Sequence, residues 1–133
     1  MKFPNASESF KRLNPQDVAT PHHVLMDFKI RPSSDEQKLN KTEAWRLAHL
    51  RALNVPALGV QNITLKLGDD CRFTPDFNYL GPSGEMVFED VKGFQRDDAL
   101  VKIKVAARLF PWARFLIVKK NGKVDWDVTE IKP

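Results

Sequence analysis

Apolar positions along the chain switch between two periods, and the switches mark out the elements. From Val24 to Ile30, Val24, Met26, Phe28 and Ile30 interleave with Leu25, Asp27 and Lys29. That is the two-residue period of a short strand or an extended arm. Such an arm is either an edge strand of the same chain or a reach toward a second subunit. Pro32-Ser33-Ser34 ends it, and a helix begins between Ser34 and Asn40, runs through Lys41 to Leu53 and stops near Asn54 and Pro56. Its face carries Glu43, Leu47 and Leu50 at helical spacing. Residues Asn62 to Leu67 read as a strand bounded by Gly68-Asp69-Asp70, where the aspartates suit a turn. Cys71 to Tyr79 reads as the next strand, with Pro75 inside it predicting an edge position or a bulge.

Leu80-Gly81-Pro82-Ser83-Gly84 is a turn-forming cluster, so the strand after it returns as the second arm of a hairpin through Lys92. A helix follows from about Asp97 to Phe110, with Leu100, Ile103, Ala107 and Phe110 as its buried stripe and Pro111 as its stop. Asp97 and Asp98 sit in its first turn, where carboxylates favour the helix dipole. Arg114 to Lys119 is a strand apolar enough for burial on both faces. Asn121-Gly122 is a hairpin signal, and Val124, Trp126 and Val128 alternate in a last strand ending near Ile131. After the arm the order is helix, three strands, helix, two strands. Periodicity alone places this in the α/β or α+β class.

Composition narrows the setting more than the chemistry. The chain has 133 residues, 42% hydrophobic and 29% charged, which suits one globular domain at residues 36–133 behind a tail and arm at residues 1–35. No apolar run reaches membrane-span length and no signal-peptide core is seen, so no membrane partner and a cytoplasmic setting are expected. The single Cys71 excludes an intramolecular disulfide and fits a reducing interior. A net charge of +4 is compatible with a polyanionic partner but decides nothing. His22-His23 and His49 read as solvated side chains rather than metal ligands.

The chemistry gathers around Thr74-Pro75-Asp76-Phe77 and Phe88-Glu89-Asp90-Val91-Lys92-Gly93, one stretch on each arm of the hairpin. The strand period puts Phe88, Asp90 and Lys92 on one face and Val87, Glu89 and Val91 on the other. Glu89 therefore faces away and receives no catalytic role. Asp76, met from the paired strand, makes two carboxylates and a lysine converging at a sheet edge. Such a set suits a hard divalent cation beside a phosphodiester, because Mg²⁺ takes oxygen ligands and usually only one or two protein carboxylates. The lysine orients water and offsets charge building on the phosphate.

Pro75-Asp76 followed by Asp90-Val91-Lys92 resembles the PD-(D/E)XK nuclease signature, and the wording FTPDF…VFEDVKG is similar to small phage-encoded proteins of that superfamily. The resemblance implies a restriction-endonuclease-like αβββαβ core, a mixed central sheet flanked by helices. It also implies a Mg²⁺-dependent DNA endonuclease, with Mn²⁺ able to substitute, in the cytoplasm of a bacterium or phage-infected host. Asp76 and Asp90 would ligate the metal, helped by Glu43 and the main-chain carbonyl of Val91, with Lys92 acting on the water. NKTEA resembles the acidic first-helix motif of these nucleases, yet Asn40 with Glu43 also fits a capping box, and the two readings are not exclusive. Small relatives of this architecture include Holliday-junction resolvases, which implies branched DNA as the partner and a homodimer that cuts two opposed strands. Arg96, Lys102, Lys104 and Arg108 on one flank of the second helix, with Gln95 before it, are the nucleic-acid contacts this suggests; a solvated face is the plain alternative. Two other readings stay open: a non-catalytic nucleic-acid-binding or assembly protein on a nuclease-like fold, and a mere same-strand ion pair between Asp90 and Lys92.

Overall fold

The computed structural model describes residues 28–33, 38–92 and 97–133. Residues 1–27, including His22-His23 and the first part of the arm, lie outside that set, as do Gln95 and Arg96. In chain order come β1 (Phe28–Ile30), α1 (Lys41–Ala52), β2 (Gly59–Val60), β3 (Ile63–Gly68), β4 (Cys71–Phe73), β5 (Phe77–Leu80) and β6 (Met86–Val91). They are followed by α2 (Asp97–Leu109), β7 (Arg114–Asn121) and β8 (Asp125–Ile131). Among the described residues these form an antiparallel sheet in the order β1-β3-β4 and a mixed central sheet in the order β2-β5-β6-β7-β8. The class is mixed α+β. No helix among the described residues is long and apolar enough to cross a membrane.

Local chemistry explains where α1 starts and stops. The Glu43 amide donates to Asn40 Oδ1 at 2.8 Å while the Asn40 amide donates to Glu43 Oε2 at 3.0 Å, a complete capping box. At the other end Asn54 takes a left-handed conformation (φ 53°), which asparagine tolerates better than most residues, and Pro56 prevents resumption. Leu47 and Leu50 bury against Phe77, Val87, Val91 and Val118, one of two apolar layers on the central sheet.

The other layer lies under α2. Ile103, Ala107 and Phe110 are buried as their spacing predicts, joined by Ala106, and they pack on Phe88, Phe115 and Ile117 of the central sheet and on Ile63 and Leu65 of the smaller one. β6 and β7 pair in parallel, so the connection must return along the sheet, and α2 makes that crossover. β7 is buried on both faces from Phe115 to Val118. Burial of each such large side chain contributes ~1.5–3 kcal/mol relative to exposure. The Asn121-Gly122 turn forms, with Gly122 at φ 69° and Asn121 opposite Asp125.

The arm takes one of its two expected forms, and one expected strand divides. Phe28–Ile30 pairs with Ile63–Leu65 of its own chain, so this part of the arm is an edge strand of the same chain. The strand expected over 71–79 is two strands in different sheets: β4 pairs with β3, whereas β5 pairs with β6. Pro75 stands at the changeover, with no N–H to offer either ladder. Asp76 next to it accepts the Gln61 amide on its main-chain oxygen at 2.9 Å. The central sheet also gains the short β2, which lies against Asn78 and Phe77.

Candidate active site

The β5–β6 hairpin is locally determined. Gly81 donates its amide to the Glu85 carbonyl at 2.7 Å, and Gly84 sits at φ 79°, where a residue with a Cβ is strained. The register this sets is Phe77 opposite Glu89 and Asn78 opposite Phe88. Continued by one position, it brings Asp76 opposite Asp90 at the end of the ladder. Facing positions of an antiparallel pair project to the same side, so the two carboxylates stand together.

The chain change at Pro75 leaves the Asp76 side chain free to take over where the ladder stops. Its Oδ2 accepts the Val91 amide at 2.7 Å. The Val91 carbonyl leaves the strand on the same side as its N–H and so opens onto the same place, while the Val91 side chain turns into the α1-side core. Burial first, then the Asp90 carboxylate beside it, and last the Glu43 charge push the Asp76 carboxyl up to about 8, against the lowering effect of the Val91 amide. Without a cation, then, this pair of carboxylates holds a proton at neutral pH. Asp90 is buried, and Lys92 Nζ lies 2.7 Å from its Oδ2. Apart from that ion pair, Asp90 Oδ2 is a buried oxygen with no other partner. The Lys92 amide meanwhile continues the β6–β7 ladder through Val118 O at 3.0 Å. The expected Asp90–Lys92 pair therefore forms, but within the fold and beside a second carboxylate rather than on an open surface.

Glu43 is held in its cap, and its charge is still felt at Asp76. No group of three or more His, Cys, Asp or Glu side chains among the described residues converges for a metal ion. The site thus supplies two carboxylates and a main-chain carbonyl, oxygen donors that fit Mg²⁺ with its remaining positions on water, beside a lysine that is not itself a ligand. The basic flank of α2 is divided. Lys102 Nζ reaches the Arg72 carbonyl at 3.4 Å, beside β4. Lys104 and Arg108 line a pocket of about 470 Å³ with Glu130, Ile131, Lys132 and Pro133. That pocket lies by the end of β8, where Ile131 pairs with Phe115, whereas Asp90 is level with Ile117.

No family model, curated protein or solved structure matches this chain.

One group that periodicity set aside has a clear task. Glu89 is fully buried on the α1 side of β6 and receives Arg46 in a two-point grip, Nε to Oε1 and Nη2 to Oε2, each at 2.8 Å. The Tyr79 hydroxyl also donates to Glu89 Oε2. Burial, and then Glu89, hold the Tyr79 phenol above its ordinary range. Arg46 in turn lies 5.3 Å from the ring centre of Trp126, which Lys120 approaches at 4.8 Å. The signal was present: an acidic residue at an inward strand position needs a cation, and Arg46 interrupts the apolar stripe of α1 between Glu43 and Leu50. This pair ties the helix bearing Glu43 to the strand bearing Asp90.

Proposed function

We propose that this chain is a divalent-cation-dependent nuclease that hydrolyses DNA phosphodiester bonds, on the nuclease-like core the sequence resemblance implies. The observation that carries the reading is the state of the paired carboxylates. Burial first, and then Asp90, press Asp76 toward its protonated form, and Asp90 Oδ2 is buried with the Lys92 ammonium 2.7 Å away. Two adjacent carboxylates that hold a proton between them form a site in which a cation can replace that proton. Asp76 and Asp90 are the ligands, with the Val91 carbonyl beside them. Mg²⁺, or Mn²⁺ in its place, supplies Lewis-acid polarisation of the phosphoryl oxygen and an acidified water. Lys92 Nζ, drawn to the edge of the pair by Asp90, orients the attacking water and offsets charge that builds on the phosphate.

Branched DNA, cut by a homodimer, is the substrate this reading favours. A site carried on one small α+β unit leaves little surface for reading base edges in a groove, whereas junctions are recognised through backbone shape. The test is cleavage of labelled four-way junction, flap and plain duplex DNA with Mg²⁺ or Mn²⁺ against EDTA. Metal-dependent cutting of the junction, lost in both Asp90→Ala and Lys92→Ala, is the expected result. Binding without cutting under every metal condition would instead make the chain a nucleic-acid-binding or assembly protein.

A further inference from the structure

The outer face of the small sheet carries cations that no carboxylate among the described residues meets. In the β1-β3-β4 register, Phe28, Leu65 and Phe73 lie in line and pack into the α2-side core. The alternate positions face the other way. Lys29 stands beside Thr64, and Lys66 beside Arg72, with Arg31 just past the end of β1. Neighbouring strands are ~4.8 Å apart, so these charges sit close enough to repel one another. All four cationic side chains are exposed, and none enters an ion pair among the described residues. Some cations elsewhere do meet carboxylates: Arg46 with Glu89, Lys92 with Asp90, Arg114 with Glu85 and Glu130, Lys132 with Glu130.

This face also has shape and hydroxyl groups. A cavity of about 540 Å³ is lined by Lys29, Ile30, Arg31, Thr64 and Arg72, and a smaller one of about 30 Å³ adjoins it at Lys66. Arg31 Nη2 donates to Thr64 Oγ1 at 2.9 Å, and Thr64 Oγ1 shares a hydrogen bond with Thr74 Oγ1 at 2.8 Å. Thr74 precedes Asp76 by two residues, ~7 Å of extended chain. The row of cations and hydroxyls thus reaches, through Thr74, the segment of chain that leads to Asp76.

We infer that the outer face of β1-β3-β4 is a phosphate-backbone track, which leads a nucleic-acid strand to Asp76 and Asp90 across Lys29, Arg31, Lys66 and Arg72. Its end point rests on the nuclease reading; the track itself does not need cleavage to be tested. Lys104 and Arg108, grouped beside the end of β8, lie off this track.

The experiment is fluorescence anisotropy of end-labelled four-way junction and duplex DNA with the full chain in EDTA, across a salt series. Lys66→Ala/Arg72→Ala is compared with Lys104→Ala/Arg108→Ala and wild type, with thermal melts confirming that each is folded. The expected result is that the Lys66/Arg72 variant binds about tenfold or more weakly at ~0.1 M salt. The slope of log K against log salt should also fall by about two, as for two lost phosphate contacts. The Lys104/Arg108 variant should bind as wild type does. Loss of binding in the Lys104/Arg108 variant but not in the Lys66/Arg72 variant overturns the inference, as does a wild-type chain that binds neither DNA. Binding through Lys66 and Arg72 with no cutting under any metal condition would leave the track standing and remove the nuclease.

Discussion

Arg46 and Glu89 form a buried two-point ion pair, with side chains 6% and 0% exposed, directly beneath the strand that carries Asp90. A pair of this kind is expensive to break from one side, because the surviving charge stays buried without a partner. Glu89→Gln or Arg46→Met should each destabilise the chain by ~3–5 kcal/mol. The joint replacement Arg46→Met/Glu89→Leu should recover most of that loss. Urea denaturation of the three variants checks this, and additive losses in the double variant would show that the two residues act independently.

The Asp76 carboxyl sets the pH dependence of the cation-free chain. Its pKa rises from 3.8 to about 8 on folding, so between those values the folded chain binds more protons than the unfolded one. Stability is then fully present below the lower value and is lost as pH rises toward the upper, by at most ~1.4 kcal/mol per pH unit. Thermal melts in EDTA should show a falling midpoint from about pH 4 to pH 8. Asp76→Asn should flatten that slope. A wild-type midpoint that rises steadily over this range would contradict the burial of Asp76 beside Asp90.

Much of this site was legible because its signals are local. The turn cluster at Gly81–Gly84 determines the hairpin register, and that register aligns Asp76 with Asp90 without knowledge of any distant partner. Asn40 with Glu43, and Asn121-Gly122, are equally self-contained. What the sequence hid depends on partners far along the chain. Residues 71–79 keep a strand-like pattern across Pro75, and only the competing claims of β3 and β6 divide them between two sheets. Glu89 was oriented correctly, away from Asp90, but its partner lies 43 positions earlier on α1. The cations at 29, 31, 66 and 72 are scattered in sequence and become one face only through strand pairing.

Lys92 should be separable from the metal ligands. Its ammonium acts on water and phosphate, so Lys92→Met should lower the cleavage rate ~10²–10³-fold while leaving a Mg²⁺-induced rise in melting temperature in place. Asp90→Asn removes a ligand charge and should abolish both. Cleavage kinetics and melting curves, each with and without Mg²⁺, distinguish the two. Loss of the Mg²⁺-induced shift in Lys92→Met would place the lysine in cation binding rather than in the chemical step.

Glu43 can be tested as a cap apart from its charge. Gln accepts and donates in the same capping box, so Glu43→Gln should retain α1 and leave stability within ~0.5 kcal/mol of wild type. Glu43→Ala removes the reciprocal bond to the Asn40 amide and should lower stability by ~1 kcal/mol. Because that bond occupies the carboxylate, Glu43→Gln should also keep metal-dependent cutting within about threefold of wild type, well short of the loss expected for a ligand. Urea denaturation and junction cleavage on the same preparations measure both effects. A Glu43→Gln variant that is fully stable yet needs much more Mg²⁺ to cut would show that the carboxylate leaves its cap to join Asp76 and Asp90 when the cation binds.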